Sequence, residues 1–144
     1  MQLTIRIFLF VLSFFTISTA QAQLEKVMHQ TFEVGEMETI SLDLVGEYDI
    51  EKWAGNTIMT ETKVQLYEAS PAILNHFVTK AKRYEISADT LNNQLLLASL
   101  DKERKPIRTK TQECFELVKL KIFVPDTFEM TADSMRTLVR KKVD

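Results

Sequence analysis

The clearest pattern in the chain is an alternation of apolar and polar residues between Thr39 and Leu66. A period of two is the signature of strands with one face buried and the other in solvent. Gly46 and the Ala54–Asn56 segment interrupt the alternation, which predicts three consecutive strands joined by tight turns. The predicted inward positions carry even numbers: Ile40, Leu42, Leu44, Tyr48, Ile50, Ile58, Val64 and Leu66.

Further strands are predicted on both sides of this segment. Residues 31–34 alternate after a polar lead-in at 23–30 that we expect to be loosely ordered at its start. Residues 94–100 are apolar on both faces, which predicts a central strand covered on each side. The remaining predictions are a strand at 84–88, a strong strand at 115–124 with Val118, Leu120, Ile122 and Val124 facing inward, and a final edge strand beginning at Phe128 and Met130.

Between residues 70 and 83 the period changes to that of a helix. Ser70 followed by Pro71 gives an N-cap and a proline at the first helical position. Leu74, Phe77, Val78 and Ala81 form one apolar stripe, and we expect this helix to cover one face of the 94–100 strand.

These elements predict a mainly β fold, either sandwich-like or a short β-solenoid, of six to eight strands with one amphipathic helix at about Pro71–Lys82. Residues 1–22 have the features of an export signal: one charge at Arg6, an apolar run at 7–17 and a small-x-small site at Ala20–Ala22. The run is too short to span a bilayer, so we expect no integral membrane segment after cleavage, the alternative being an uncleaved membrane anchor. The predicted organisation is a signal peptide at 1–22, one β-rich domain at 23–130, and a frayed or weakly helical, flexible basic tail at 131–144.

Charge and cysteine content narrow the candidate partners. Removing Arg6 with the signal leaves 17 basic residues against 20 acidic ones, a formal charge of −3. Nucleic-acid binding needs a basic excess, so we expect no nucleic-acid partner. Cys114 is the single cysteine, and its acidic neighbours Glu113 and Glu116 would raise the thiol pKa. We interpret it as a buried structural residue, the alternative being a thiol free to pair with a second chain.

The most polar stretch, residues 101–112, is predicted to be a long exposed loop or a ragged hairpin, because Pro106 excludes a central strand. It is either a plain solvated loop or a contact surface for a ligand or partner. Trp53 breaks the even-number pattern and either marks a bulge, caps the core or stacks on a ligand. The candidate contact residues are Trp53, Lys102, Arg104, Lys105, Arg108 and Lys110.

No pattern in the chain predicts a catalytic, metal or cofactor site. His29 and His76 have no His or Cys neighbour at zinc-ligand spacing, and the glycines form no phosphate loop. A Cys114–His76 dyad lacks an electropositive setting. The outward carboxylates Glu47, Asp49 and Glu51 could serve a hydrolase or bind calcium, but such a row is ordinary on a solvated strand. We therefore expect no enzyme and no cofactor.

Two segments resemble exported bacterial adhesin-like proteins of the head-GIN type. They are Leu42-Asp-Leu-Val-Gly-Glu-Tyr-Asp-Ile-Glu-Lys-Trp-Ala-Gly-Asn-Thr-Ile58 and Val118-Lys-Leu-Lys-Ile-Phe-Val-Pro125. The resemblance implies a β-solenoid or stacked-sheet module at the cell surface. The chain departs from that pattern in its helical segment at residues 70–83.

Three functional hypotheses follow. The first is a non-catalytic, exported binding or adhesin-like module of the envelope, in the periplasm or on the cell surface, that contacts a protein or a cell-surface ligand. The second is a periplasmic structural protein acting through a protein partner, which an unpaired edge strand would support. The third is an envelope hydrolase using the face of Glu47, Asp49 and Glu51.

Overall fold

A computed structural model describes residues 23–132 and 134–142 of the chain; the predicted signal at 1–22 lies outside the described residues. In the described residues nine strands form two sheets. The strands are β1 (Leu24–Glu33), β2 (Thr39–Asp43), β3 (Tyr48–Trp53), β4 (Thr57–Tyr67), β5 (Ile86–Leu91), β6 (Gln94–Ser99), β7 (Phe115–Pro125), β8 (Phe128–Thr131) and β9 (Ser134–Arg140).

The first sheet has the strand order β1-β4-β7-β3 and the second has the order β5-β6-β2-β9-β8. Most neighbouring strands are antiparallel; the β2–β6 and β3–β7 pairs are parallel. Parallel rungs in chain order would be needed for a solenoid, so the arrangement is sandwich-like and the solenoid alternative is wrong.

The main core lies between the two sheets. The four-stranded sheet contributes Ile58 and Ile122, and the five-stranded sheet contributes Ile40, Leu97 and Leu138, all fully buried. Even-numbered residues of β2 and β4 are buried as the alternation predicted. The predicted strand at 115–124 is confirmed as β7, and β8 is the edge strand expected at Phe128.

Three local predictions were wrong. The start of the 23–30 lead-in was expected to be loosely ordered, but β1 begins at Leu24 and pairs with β4 along its whole length. The expected tail contains β9, which pairs with β2 and buries Leu138 because that residue faces the core. Strand β6 is covered on one face only, since Leu96 is 38% exposed.

The helical segment begins where the sequence predicts. Ser70 caps it by accepting a hydrogen bond from the Ile73 backbone N–H at 3.4 Å. An α-helix, α1 (Pro71–Asn75), continues into a π-helical turn, His76–Lys80. The segment packs beside Val64 and Leu66 in a second, smaller core cluster rather than on β6, and Ala81 of the predicted stripe is exposed.

Candidate functional site

Strand β7 is paired on both sides along only half its length. Strand β4 pairs with it from Phe115 to Phe123, whereas β3 pairs only with the Leu120–Pro125 half. On the β3 side, no described strand pairs with the Phe115–Lys119 half. We call Leu120–Pro125 the closed half of β7 and Phe115–Lys119 the open half.

The unpaired edge of β7 is limited at its N-terminal end by a contact of Cys114, the residue just before β7. The Cys114 N–H donates to the Ile107 carbonyl at 2.8 Å, and Arg108 bridges to Glu113 in antiparallel fashion. The other side of Cys114 faces Glu68 at the end of β4, where its Sγ donates to the Glu68 carbonyl at 3.2 Å. Ile107 therefore lies on the same side of β7 as β3. We call the five-residue gap between Tyr48 and Ile107 the notch; it is about 16 Å long at about 3.3 Å per residue.

The backbone direction of the notch follows from the hydrogen bond of Cys114. In a strand, the N–H and C=O of alternate residues point to the same side. Since the Cys114 amide points towards Ile107, those of Glu116 and Val118 point to the open edge. An unpaired edge of this kind is a template for another strand.

The side chains along the notch are unusually apolar for an exposed face. Phe115 is 64% exposed and Leu117 is 37% exposed. The Phe115 ring contacts the Tyr67 ring, with centroids 5.7 Å apart. Two shallow cavities follow the same edge. One of about 320 Å³ is lined by Glu47, Tyr48, Asp49 and residues 117–120, and the other, of about 300 Å³, by Pro106, Ile107 and residues 113–116.

A buried ionic cluster lies directly behind the notch and consists of Arg83, Tyr84, Asp101, Arg104 and Glu116. The Glu116 carboxylate accepts two hydrogen bonds from Arg83, from Nε at 3.0 Å and Nη2 at 2.8 Å. It also accepts one from the Tyr84 hydroxyl at 2.5 Å. Asp101 accepts a further bond from Arg83 Nη1 at 3.2 Å. The cluster thus ties the open half of β7 to the start of the 101–114 loop.

The electrostatics of the cluster keep it ionised. Arg83 is only 3% exposed, yet hydrogen bonding to Glu116 raises its pKa above the ordinary value. Burial alone would raise the pKa of Glu116, but the bonds from Arg83 and Tyr84 outweigh burial and lower it. Burial raises the pKa of Tyr84 well above 10, so its hydroxyl stays a donor.

Arg104 is the least satisfied member of the cluster. Its guanidinium lies over the Tyr84 ring, 5.8 Å from the centroid, and its buried Nε has no hydrogen-bond partner among the described residues. Burial lowers its pKa. Its φ of +40° is a strained conformation for a non-glycine residue. Asp101 holds that backbone by accepting the Arg104 N–H at 3.0 Å.

Trp53 lies far from this region. It is opposite Pro125 at the far end of β7, about 33 Å from Phe115 at about 3.3 Å per residue. The β3–β7 register is unbroken there, so the bulge interpretation is wrong. The indole N–H donates to the Thr57 carbonyl at 2.9 Å. The ring lies so close to Gly55 that a Cβ there would come within 2.3 Å, so Trp53 closes the β3–β4 turn.

The five basic residues of the loop do not form one cationic patch. Lys102 pairs with Asp43, Lys105 with Glu103 at 3.0 Å, and Arg108 with Glu113 at 3.0 Å. Arg104 belongs to the buried ionic cluster, and Lys110 has no carboxylate partner among the described residues. The loop is irregular apart from the bridge at Arg108, as expected.

Among the described residues, no hydrogen bond joins Cys114 to His76. Cys114 is buried at 6% exposure, as predicted, and burial followed by Glu68 and Glu113 raises its thiol pKa. His76 instead packs edge-on against Phe77, with ring centroids 5.3 Å apart. Of the acidic row, Glu51 pairs with Lys121 at 2.8 Å. Within residues 23–132 and 134–142, no group of three or more His, Cys, Asp or Glu residues is placed to hold a metal ion.

The sequence contains signals for the notch that alternation alone did not reveal. Phe115 and Leu117 occupy outward positions, in phase with Lys119 and Lys121, and so are apolar where charge is expected. Glu116 is the reverse, a carboxylate in phase with buried Leu120. A carboxylate at an inward position needs a cationic partner. That partner, Arg83, is 33 residues away in the sequence, and no nearby sequence pattern identifies it.

Comparison of the chain with models of known protein families, with curated proteins and with solved structures found no match. None of the helices in the described part is both long and apolar enough to cross a membrane.

Proposed function

We propose that this chain is a non-catalytic, exported envelope module that acts by binding another protein. The single observation that carries the proposal is the notch, an unpaired backbone edge flanked by the exposed side chains of Phe115 and Leu117. Unpaired edges and exposed apolar side chains are both features of protein-contact surfaces.

The proposal locates the contact differently from the sequence-based candidates. Three of the loop cations are already paired with carboxylates, and Trp53 is engaged with its own turn. A carboxylate beside each of these cations repels an anionic ligand, so the three cations do not form a strongly positive surface. The loop instead contributes Ile107, which bounds the notch.

A photocrosslinking experiment tests the proposal in cells. A photoreactive amino acid is placed at Phe115, and in a matched control at Leu91, which is 71% exposed on the other sheet. We expect a discrete adduct with one protein from position 115 and none from position 91. Adducts from neither position, or from position 91 alone, would contradict a contact at the notch.

Export and location are tested in the same strain. We expect a mature N-terminus at Gln23, which follows the predicted cleavage site. Digestion of a tagged copy by protease added to intact cells would favour an adhesin-like surface role. Protection until the envelope is opened would favour a periplasmic module with a protein partner.

A further inference from the structure

We infer that the notch receives an extended segment of a partner protein, which adds to β7 as a strand between Tyr48 and Ile107. The inference rests on the proposed function and specifies how the partner is bound. The segment would occupy the line of β3, which covers only the closed half of β7.

The backbone geometry defines the length of the segment. The amides and carbonyls of Glu116 and Val118 point to the open edge, so a chain lying alongside can exchange hydrogen bonds with them. Strand addition satisfies such groups through main-chain hydrogen bonds. Because Tyr48 closes one end and Ile107 the other, about five residues fit at about 3.3 Å each.

The side chains of the notch define its composition. Successive residues of the added strand would point alternately outward and inward. Outward side chains would lie beside Phe115 and Leu117, and inward side chains would meet the cavity walls at Tyr48, Val118 and Ile107. Apolar residues, β-branched ones above all, suit both positions.

Charge defines one end of the segment. Glu47 and Asp49 line the cavity at the β3 end, and neither makes an ion pair with a described residue. Lys119 lies further along the same edge. A Lys or Arg of the partner is therefore favoured beside Glu47 and Asp49 and disfavoured beside Lys119.

The other long edge lacks these features. Strand β1 also has one unpaired side, but it carries Glu25, Lys26 and His29 on exposed positions. Charged residues on an edge discourage strand addition. The notch, in contrast, exposes Phe115 and Leu117 and is closed at both ends, and the buried ionic cluster holds β7 there through Glu116.

The test uses peptides on the folded chain, residues 23–144. Random seven-residue peptides are displayed and selected on this protein alone, so that no notch variant enters the selection. We expect enriched peptides that alternate apolar residues and carry a Lys or Arg at one end. A synthetic copy with proline at alternate positions, which removes the N–H groups, should not bind.

Two notch variants and one control locate the peptide site. We expect Leu117→Lys and Val118→Pro each to raise the Kd of the selected peptide by about tenfold or more. Val27→Lys is the control, because Val27 is 40% exposed on β1 of the same sheet but lies away from the notch. Near-ultraviolet circular dichroism checks that each variant folds. If Val118→Pro does not fold, the Kd measured for Leu117→Lys, a change at an outward position, tests the inference alone.

Each outcome decides one question. If no peptide is enriched, or if the peptides bind Leu117→Lys as tightly as the wild type, the strand-addition inference is overturned. A crosslinked partner at position 115 together with that result would leave the proposed function intact and place its contact outside the notch. Selected peptides that need the notch, without any crosslinked partner in cells, would instead contradict the proposed function.

Discussion

The two halves of β7 carry the same alternation of side chains but differ in everything that surrounds them. In the closed half, Leu120, Ile122 and Val124 face the core between the sheets, and the backbone pairs with β3 throughout and with β4 as far as Phe123. In the open half, the corresponding inward positions are Glu116 and Val118, and one backbone edge is free of any described strand. One strand therefore combines a segment that packs in the core with a segment whose one edge is unpaired among the described residues.

The comparison shows how an open edge can be kept rigid. A strand without a neighbour on one side loses half its ladder and tends to fray. Here the Glu116 carboxylate anchors the open half to Arg83 and Tyr84 in the interior. Buried ion pairs are weak contributors to net stability but can fix a unique geometry, and a fixed geometry is what a preformed binding edge requires.

The largest effect is expected on removing the cation behind the open half. Arg83→Met leaves Glu116 and Asp101 without their buried partner, so the free energy of unfolding should fall by about 3–5 kcal/mol. Urea denaturation measures it. The control is Lys63→Met, which removes an exposed pair with Glu25 at 3.0 Å and should change stability little. An Arg83→Met effect no larger than the control would mean that the cluster does not hold the open half.

A matched pair of truncations compares the two halves directly. Val124→Ala, at a fully buried position, should lower the free energy of unfolding by about 2 kcal/mol. Val118→Ala makes the same chemical change at a half-buried position, so we expect about half that effect. Equal effects, measured by the same urea titration, would show that the open half is packed as fully as the closed one.

Acid should weaken the open half first. The Glu116 pKa is lowered in the folded state from 4.5, so its contribution is complete above pH 4.5 and is lost as pH falls through the lowered folded value. Wild-type stability should therefore drop more steeply as pH falls below 4.5 than that of Glu116→Gln. Parallel pH profiles for the two proteins would argue against the ionised cluster.

Cys114 reports whether the Ile107 end of the notch stays closed. Its thiol is buried and has a raised pKa, so a thiol reagent should label the folded protein far more slowly than the urea-unfolded chain. Arg83→Met should accelerate labelling if the cluster holds this end of β7. Rapid labelling of the folded wild type would contradict the burial of Cys114.

The smallest stability effect is expected at the proposed contact surface itself. Leu117→Lys changes an outward, partly exposed side chain, so the free energy of unfolding should change by no more than about 0.5 kcal/mol. If Leu117 belongs to a binding surface, Leu117→Lys should weaken partner binding and leave the free energy of unfolding almost unchanged. A large loss of stability in Leu117→Lys would show that Leu117 is a packing residue.

The sequence predicts the parts of this fold that depend on one strand at a time. The even-number alternation identifies β2, β3, β4 and the inward face of β7, because each buried face repeats every two residues. Strand β9 was missed because its apolar residues, Met135, Leu138 and Val139, do not follow a period of two. Strand β1 was missed over residues 24–30 because an edge strand needs only one weakly apolar face.

The candidate site depends on pairing between distant segments, which periodicity does not encode. The register of the sheet places the first residue of β3, Tyr48, opposite Leu120, whereas β7 begins at Phe115. This register depends on the pairing of the whole sheet. The ion pair of Arg83 with Glu116 likewise depends on the path of the chain between the helical segment and β5. Trp53 and the 101–112 loop were grouped by residue type alone, and β7 separates them.

Amide hydrogen exchange tests the central claim most directly. The N–H groups of Glu116 and Val118 should exchange at least about a hundredfold faster than those of Ile122 and Val124, since the first pair faces an open edge and the second pair faces β3. A peptide that occupies the notch should slow the exchange of Glu116 and Val118 and leave Ile122 and Val124 unchanged. Equal protection of all four amides without peptide would mean that the edge of the open half is already paired, and the notch would not be a binding site.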